Sequence, residues 1–405
     1  MSDIAFSPRG ATRVFSTPWI FGPRTDYFVS IGGMSAGFAF VFLYAVLGWP
    51  VVLLWFLWVL VADTPHIFAS YFRTYLDKQE RQNSRRLLIG SLSVFLVGPA
   101  VLLLCLARYG GGFASPRIPW TVFINVVSAW AWLHVVRQHY GILRLYNRKG
   151  GEFGTAEAKL DSIVLYGTTG LSFFAMLLQL PQGREKLGLG AWSPIHDNFL
   201  TAPLHTLASL TPDQLLFFAS VLGVVLLVAR YAIFQTAKFI RREPINLPKV
   251  VFLATVAALY GFMAFSGPLP GTTVIAFIAV TTIYHDIQYF FVVWFYGKNR
   301  YGKSADPVRE FGAAGFLSKS SLLFLIAGVI ALSLPLWGFG CAINRVGACA
   351  TGPVLGAETF MGDTAWVLLF TWFATGLQMH HYVLDQFIWR PSRSAQLRAQ
   401  LKVEG

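Results

Sequence analysis

The stretch "VVLLWFLWVLVADTPHIFASYF", residues 51–72, is long enough to cross a bilayer as one helix, which takes about 20 mainly apolar residues. It also contains Asp63 and His66, and ionisable side chains inside a membrane are costly enough to suggest a function. The two residues are three positions apart and therefore share a helical face. Pro65 lies between them and loosens the helix locally, because it has no backbone N–H. This stretch predicts a membrane helix with one polar, functional face.

Similar apolar stretches recur along the whole chain. Of its 405 residues 55% are hydrophobic and only 13% are charged, and its mean hydropathy is +0.56, which is too apolar for a soluble protein. We expect an all-α, polytopic helical bundle with about ten transmembrane helices. The predicted spans lie near residues 27–49, 51–72, 87–106, 119–146, 162–180, 213–236, 250–266, 272–296, 317–340 and 364–389.

The distribution of positive charge predicts the orientation of these spans. The net charge is +13, but with a cytoplasmic N-terminus about 25 of the 32 lysines and arginines fall in the cytoplasmic segments. Both termini are then cytoplasmic, and the basic character reflects topology rather than nucleic-acid binding. We expect a multi-pass protein of a bacterial inner (plasma) membrane.

The segments outside the spans are short. We expect a single membrane domain over residues 27–389, a cytoplasmic arm over 1–26 and a basic cytoplasmic tail over 390–405. Residues 181–213 form the longest outside loop and are expected to act as an interfacial cap. Cys341 and Cys349 share another outside loop, where an oxidising environment favours a disulfide between them.

Histidines are concentrated in four of the predicted spans. These spans all run from outside to inside, and at 1.5 Å per residue each histidine lies roughly 9 to 18 Å from the cytoplasmic end. We therefore expect the histidines to converge on one layer near the cytoplasmic face. The candidate metal ligands are His66, His134, His139, His285, His380 and His381.

Polar residues accompany these histidines at helical spacing. Carboxylates and amides can act as further ligands, or can accept the ring N–H that fixes the tautomer of a metal-binding imidazole. An arginine beside them can neutralise a carboxylate. The residues expected in these catalytic or orienting roles are Asp63, Asp286, Asp385, Gln138, Gln288 and Arg137.

The donor set restricts the metal. Imidazoles with some carboxylate and no thiolate suit iron, zinc, copper or manganese. Six histidines exceed what one zinc ion usually takes, so we expect two ions, or one ion with proton-transfer groups. Two irons are the preferred interpretation, with a single iron, zinc or copper as alternatives.

Histidine clusters such as "HVVRQH" and "MHHYVLD" at the cytoplasmic ends of helices resemble those of the integral-membrane non-haem di-iron oxygenases, the fatty-acid desaturases and hydroxylases. The spacing here is HxxxxH and HH, whereas that family has HxxxH and HxxHH. A second resemblance is to membrane-embedded carotenoid-cleaving oxygenases, which also hold iron by histidines from several helices. The resemblance implies oxygen-dependent chemistry on a lipid or other hydrophobic substrate, with electrons from a cytoplasmic donor.

Other classes of protein remain open. Histidines on facing helices can ligate haem b in an electron-transfer subunit. A metal-independent lipid transferase could use a histidine as general base. A proton-coupled transporter could use the histidines and aspartates as a relay.

Overall fold

The computed structural model describes the chain as a mostly helical protein. Within the described part, the strands are one parallel pair of two residues each, Phe15–Ser16 and Ile245–Asn246. The described residues are 14–109, 118–180, 184, 187–190, 210–265, 274–317, 322–343 and 375–403. Residues 191–209 and 344–374 lie outside them, so most of the predicted cap and the predicted Cys341–Cys349 disulfide are outside the described residues.

Each of the ten stretches predicted to span the membrane contains helix. The first half of the chain contains the helices α1 Pro23–Tyr27, α2 Gly33–Ala45, α3 Val51–Trp58, α4 Thr64–Arg73, α5 Lys78–Asn83, α6 Arg85–Ser91, α7 Val97–Tyr109, α8 Ile118–Lys149 and α9 Ala156–Gln179. The second half contains α10 Pro212–Ile240, α11 Leu247–Phe265, α12 Val274–Tyr301, α13 Pro307–Phe311, α14 Ala313–Leu317, α15 Leu322–Ile343, α16 Gly376–Ile388 and α17 Ala395–Leu401.

Five helical segments are long and apolar enough to cross a membrane, which indicates a membrane protein. They are Pro23–Ala45, Arg85–Cys105, Ala156–Gln179, Pro212–Ile240 and Leu247–Ala264. The histidine-bearing helices are not among the five. The described helices α4 and α16 have 10 and 13 residues, which is too short to cross a membrane by themselves, and the other five spans stay predictions.

Large apolar side chains remain exposed on several of these helices. Leu96, Leu226, Ile233 and Ile240 each keep more than half of their surface accessible. Exposed apolar surface on this scale is unfavourable in water, because water contact with apolar groups costs free energy. It is the expected surface of helices that face lipid.

Contacts between helices divide the described chain into two compact units. One contains residues 1–27 and 142–265, and the other contains residues 28–141 and 266–404. Hydropathy locates helices but does not say which of them pack together, so the sequence could not predict this grouping. The single domain expected over residues 27–389 stays a prediction.

In the first unit, buried ionic groups hold three helices together. The Lys249 side chain is fully buried, and its ammonium lies 2.8 Å from both Glu152 and Glu157 and 3.0 Å from Asp161. Lys238 forms a further ion pair with Glu157 at 2.6 Å. Such charges are stable away from water only when they are paired, so these contacts fix the ends of α9, α10 and α11.

The N-terminal segment of this unit is ordered by one carboxylate. Asp26 accepts hydrogen bonds from the backbone N–H groups of Ile20, Phe21 and Gly22 at 2.8 to 3.0 Å, and from the Tyr146 hydroxyl at 2.7 Å. The end of the expected arm over residues 1–26 is therefore folded against α8.

In the second unit, a π-helical turn introduces the first histidine. Residues Val59–Asp63 form this turn directly before α4, and the N–H of Thr64 bonds to the carbonyl of Val59. Pro65 provides no N–H for the regular helical bond, and single π turns often occur at functional sites. The irregular turn therefore ends directly before the helix that carries Pro65 and His66.

Candidate metal centre

Four histidines from four helices form one closed group in the second unit. Their ring centroids are 4.6 Å apart for His66–His285, 4.6 Å for His66–His381, 4.7 Å for His134–His381 and 5.3 Å for His134–His285. All four side chains are buried. We call His66, His134, His285 and His381 the histidine cluster; they come from α4, α8, α12 and α16 respectively.

The Nε2 atoms of the histidine cluster face one another in pairs. His285 Nε2 lies 3.2 Å from His66 Nε2, and His381 Nε2 lies 3.1 Å from His134 Nε2. Two nitrogens bound to one metal at about 2.1 Å are about 3.0 Å apart at a right angle and about 3.4 Å apart at the tetrahedral angle. Both pairs therefore have the separation of two ligands on a common ion.

Two groups of side chains bring potential ligand atoms within 4.8 Å of one another. One is His66, His134 and His381, and the other is His66, His285 and Asp286. In the second group, His66 Nδ1 lies 3.7 Å from Asp286 Oδ1. Because a ring N–H commonly donates to a carboxylate behind a metal-binding histidine, Asp286 is placed either to ligate or to orient His66.

Each histidine of the cluster has a polar residue four positions further along its helix. These partners are Ser70, Gln138, Tyr289 and Asp385. Residues four apart lie one above the other on a helix. The partners form a second layer one helical turn from the histidine cluster. On all four helices the residue of the second layer follows the histidine in sequence, so the four helices run in the same direction.

The second layer is one hydrogen-bonded network around Asp385. Its carboxylate accepts from Ser70 at 2.8 Å, from Tyr289 at 2.9 Å and from the Gln138 amide at 2.6 Å. The hydroxyls of Ser70 and Tyr289 lie 2.6 Å apart. Three donors on one carboxyl group fix its position beside the histidine cluster.

This network determines which histidine nitrogens can bind a metal. When Ser70 gives its hydrogen to Asp385, its oxygen accepts from His381 Nδ1 at 2.8 Å, and this tautomer leaves the lone pair of the ring on Nε2. The second amide hydrogen of Gln138 points at His134 Nε2, 3.0 Å away, so a lone pair is there also. With the ring N–H of His381 on Nδ1, the Nε2 atoms of His381 and His134 are both acceptors and lie 3.1 Å apart, which is the separation of two ligands on one ion. The donor set therefore fits a metal ion.

His380 has a different environment from its neighbour His381. Its Nδ1 lies 3.0 Å from the Tyr71 hydroxyl, and its Nε2 lies 3.1 Å from Tyr75 and 2.9 Å from Ser91. Tyr75 and Ser91 both donate to the carbonyl of Leu88, so the Nε2 of His380 is the N–H donor to them. Both ring nitrogens are thus occupied by hydrogen bonds within the protein.

The other predicted site residues lie around the histidine cluster. His139 bonds through Nδ1 to Gln288 at 2.8 Å, with its ring centroid 6.1 Å from that of His285. Asp63 is hydrogen-bonded to Gln378, which also accepts from Tyr382 at 2.8 Å. Arg137 is exposed.

Sequence reasoning did not assign roles to several residues that the structure brings to the site. Ser70 and Tyr289 complete the second layer, and Trp58 donates to Asp286 at 3.3 Å. The signal for Ser70 and Tyr289 was present in the sequence as a polar residue four positions after a histidine. It becomes distinctive only when the four helices are compared.

Comparison with known proteins adds no family to this geometry. No protein-family model, curated protein or solved structure matches the chain.

Proposed function

We propose that this protein is a ten-span membrane metalloenzyme in which the histidine cluster holds non-haem iron for oxygen-dependent modification of a lipid or similar hydrophobic substrate. The observation that carries the proposal is the convergence of the Nε2 atoms of His66, His134, His285 and His381, with two pairs at 3.1 and 3.2 Å. Histidine is the commonest metal ligand in proteins, and the ligand atoms of His66, His134 and His381, and of His66, His285 and Asp286, all lie within 4.8 Å of one another.

The direction of the helices supports the proposed topology. The histidine cluster and the second layer require α4, α8, α12 and α16 to run the same way. In a ten-span chain these helices belong to the second, fourth, eighth and tenth spans, which cross the membrane in one direction. With cytoplasmic termini, the second layer then lies on the cytoplasmic side of the cluster, where a soluble electron donor has access.

Iron is the metal that we propose among those that the donor set suits. Among the described residues, the two groups of potential ligand atoms consist of imidazoles and one carboxylate and include no thiolate. When bound, iron supplies the ability to activate molecular oxygen. The chain's own residues would hold and orient it: Ser70 links Asp385 to His381 Nδ1, and Gln138 links Asp385 to His134.

The surroundings favour a substrate that partitions into lipid. The cluster histidines are buried among helices, and large apolar surfaces on other helices suit contact with acyl chains. A hydrophobic substrate can then enter between helices without passing through water. This enclosure would also exclude water from reactive steps.

Haem b fits this geometry less well than a bare ion. The two axial histidines of a haem lie on opposite faces of a broad, flat macrocycle. In the histidine cluster, each imidazole has its centroid within 5.3 Å of the centroids of two others. If any two of the four histidines were axial ligands, the other two would occupy the space that the macrocycle needs.

Metal analysis and an optical spectrum of the detergent-purified protein test the proposal. We expect one or two equivalents of iron per chain, either as purified or after anaerobic addition of ferrous ion, and no Soret band. Oxygen consumption should then depend on added lipid. A strong Soret band would assign the site to haem, and failure to bind any transition metal would rule out a metal enzyme.

Replacement of Ser70 by alanine should weaken metal binding without removing a ligand. Loss of the hydrogen bond to His381 Nδ1 frees the ring to rotate, and the loss of such an outer partner typically lowers metal affinity about 10- to 100-fold. A chelator competition titration measures the change.

Ser91→Ala is the matched control, because Ser91 is also a buried serine bonded to a histidine, but to His380 at 2.9 Å. Its metal affinity should stay at the wild-type value. Equal losses in both variants would mean that the effect of Ser70→Ala is general destabilisation.

A further inference from the structure

Two aromatic side chains connect the histidine cluster with the protein surface. The ring of Tyr289 lies 4.4 Å from that of His66 by centroid distance, and the Trp389 ring lies 5.9 Å from Tyr289. The indole N–H of Trp389 donates to the Tyr289 hydroxyl at 3.1 Å. The three rings thus form a continuous contact path.

The path leads from the interior outward. Only 3% of the Tyr289 surface is exposed, whereas Trp389 is partly exposed. Trp389 follows Asp385 by four residues and therefore lies one turn beyond the second layer. It is next to the basic segment that starts at Arg390.

Tyrosine and tryptophan are the aromatic side chains that proteins oxidise by one electron. A phenol that loses an electron also loses its proton, and the Tyr289 hydroxyl already donates to the Asp385 carboxylate at 2.9 Å. The same proton can return along this hydrogen bond when Tyr289 is reduced. The contact therefore allows repeated oxidation and reduction.

A positive charge beside Trp389 distinguishes it from Tyr289. The Arg73 guanidinium lies 4.0 Å from the centre of the Trp389 ring. A cation on the face of an aromatic ring is attracted to its electron density and disfavours removal of an electron from it. The oxidised state should therefore rest on Tyr289, which can release its proton, and Trp389 should be oxidised only transiently as it passes an electron from the surface to Tyr289 or receives an oxidising equivalent from outside.

We propose that Tyr289 and Trp389 form a one-electron relay between the histidine cluster and the surface. Tyr289 gives an electron to the oxidised metal site and its proton to Asp385. Trp389 then reduces the Tyr289 radical, which takes the proton back, and a one-electron donor in the cytoplasm reduces Trp389. The net result is one electron moved from that donor to the site. The biological use of the relay depends on the proposed function, but its conduction does not require the metal.

The metal-free protein provides the test. A ruthenium photo-oxidant is attached to Ser392→Cys, an exposed position three residues after Trp389, with Cys341 and Cys349 replaced by serine. After flash-quench oxidation, transient absorption and EPR should detect a tryptophan radical followed by a tyrosyl radical. Tyr289→Phe should remove the tyrosyl signal and prolong the tryptophan signal, and Trp389→Phe should remove the fast tyrosyl signal.

Tyr382→Phe is the matched control, because Tyr382 is a buried tyrosine of the same unit that bonds to Gln378 instead of Trp389. It should leave both signals unchanged. Persistence of the tyrosyl radical in Tyr289→Phe, or its loss in Tyr382→Phe, would overturn the relay. Because no metal is used, failure here is distinct from failure of the proposed function, which the metal analysis tests.

Discussion

His381→Ala is expected to abolish metal binding, whereas His380→Ala should leave it intact. His381 supplies a nitrogen 3.1 Å from His134 Nε2, and its loss removes a ligand instead of an orienting group. The fall in affinity should therefore exceed the roughly 10- to 100-fold effect of losing an outer hydrogen bond. Metal content after gel filtration, together with a chelator competition titration, measures it.

The two adjacent histidines make this comparison sharp. Both are buried on α16, but both nitrogens of His380 are bonded to Tyr71, Tyr75 and Ser91. His380→Ala should lower thermal stability, since it removes the partner of the Tyr71 hydroxyl and a donor to Tyr75 and Ser91, while the metal content stays at the wild-type value. Loss of metal in His380→Ala with retention in His381→Ala would contradict the site described above.

Lys249→Met should destabilise the first unit strongly. The substitution leaves Glu152, Glu157 and Asp161 close together without their shared cation. Breaking a buried ion pair by removing one partner typically costs about 3–5 kcal/mol, because an uncompensated buried charge remains. The free energy of unfolding in mixed micelles, followed by circular dichroism during titration with a denaturing detergent, gives the change.

Two further variants control for this effect. Arg241→Met breaks an exposed ion pair with Glu243, and such pairs contribute at most about 1 kcal/mol. The double variant Lys249→Met with Asp161→Asn removes one of the uncompensated charges, so it should recover part of the lost stability. If Lys249→Met is no worse than Arg241→Met, the buried ionic cluster does not stabilise the unit.

Much of the site was accessible from the sequence because helical spacing and hydropathy are local properties. The histidines were expected to converge on one layer, and His66, His134, His285 and His381 form one group in the structure. The expectation worked because all four lie at similar depths on helices that run the same way. Asp385 was likewise identified by its position four residues after His381.

The roles within that layer could not be read from the chain. His380 and His381 are adjacent and equally apolar in context, yet one faces the histidine cluster and the other faces two tyrosines and a serine. Neighbouring helical residues differ by about 100° in direction. Which direction leads to the cluster depends on the helices that pack on either side.

The sequence by itself determined that the chain is helical and apolar, where its helices lie and which ionisable groups share a helical face, because these follow from composition and from residue spacing along one helix. Only the tertiary structure decided which helices group together, which four histidines meet, and that Ser70, Gln138 and Tyr289 bind a common carboxylate on Asp385. The physical reason is that these contacts join residues up to 315 positions apart, and the rotation of each helix about its axis is fixed by packing against its neighbours.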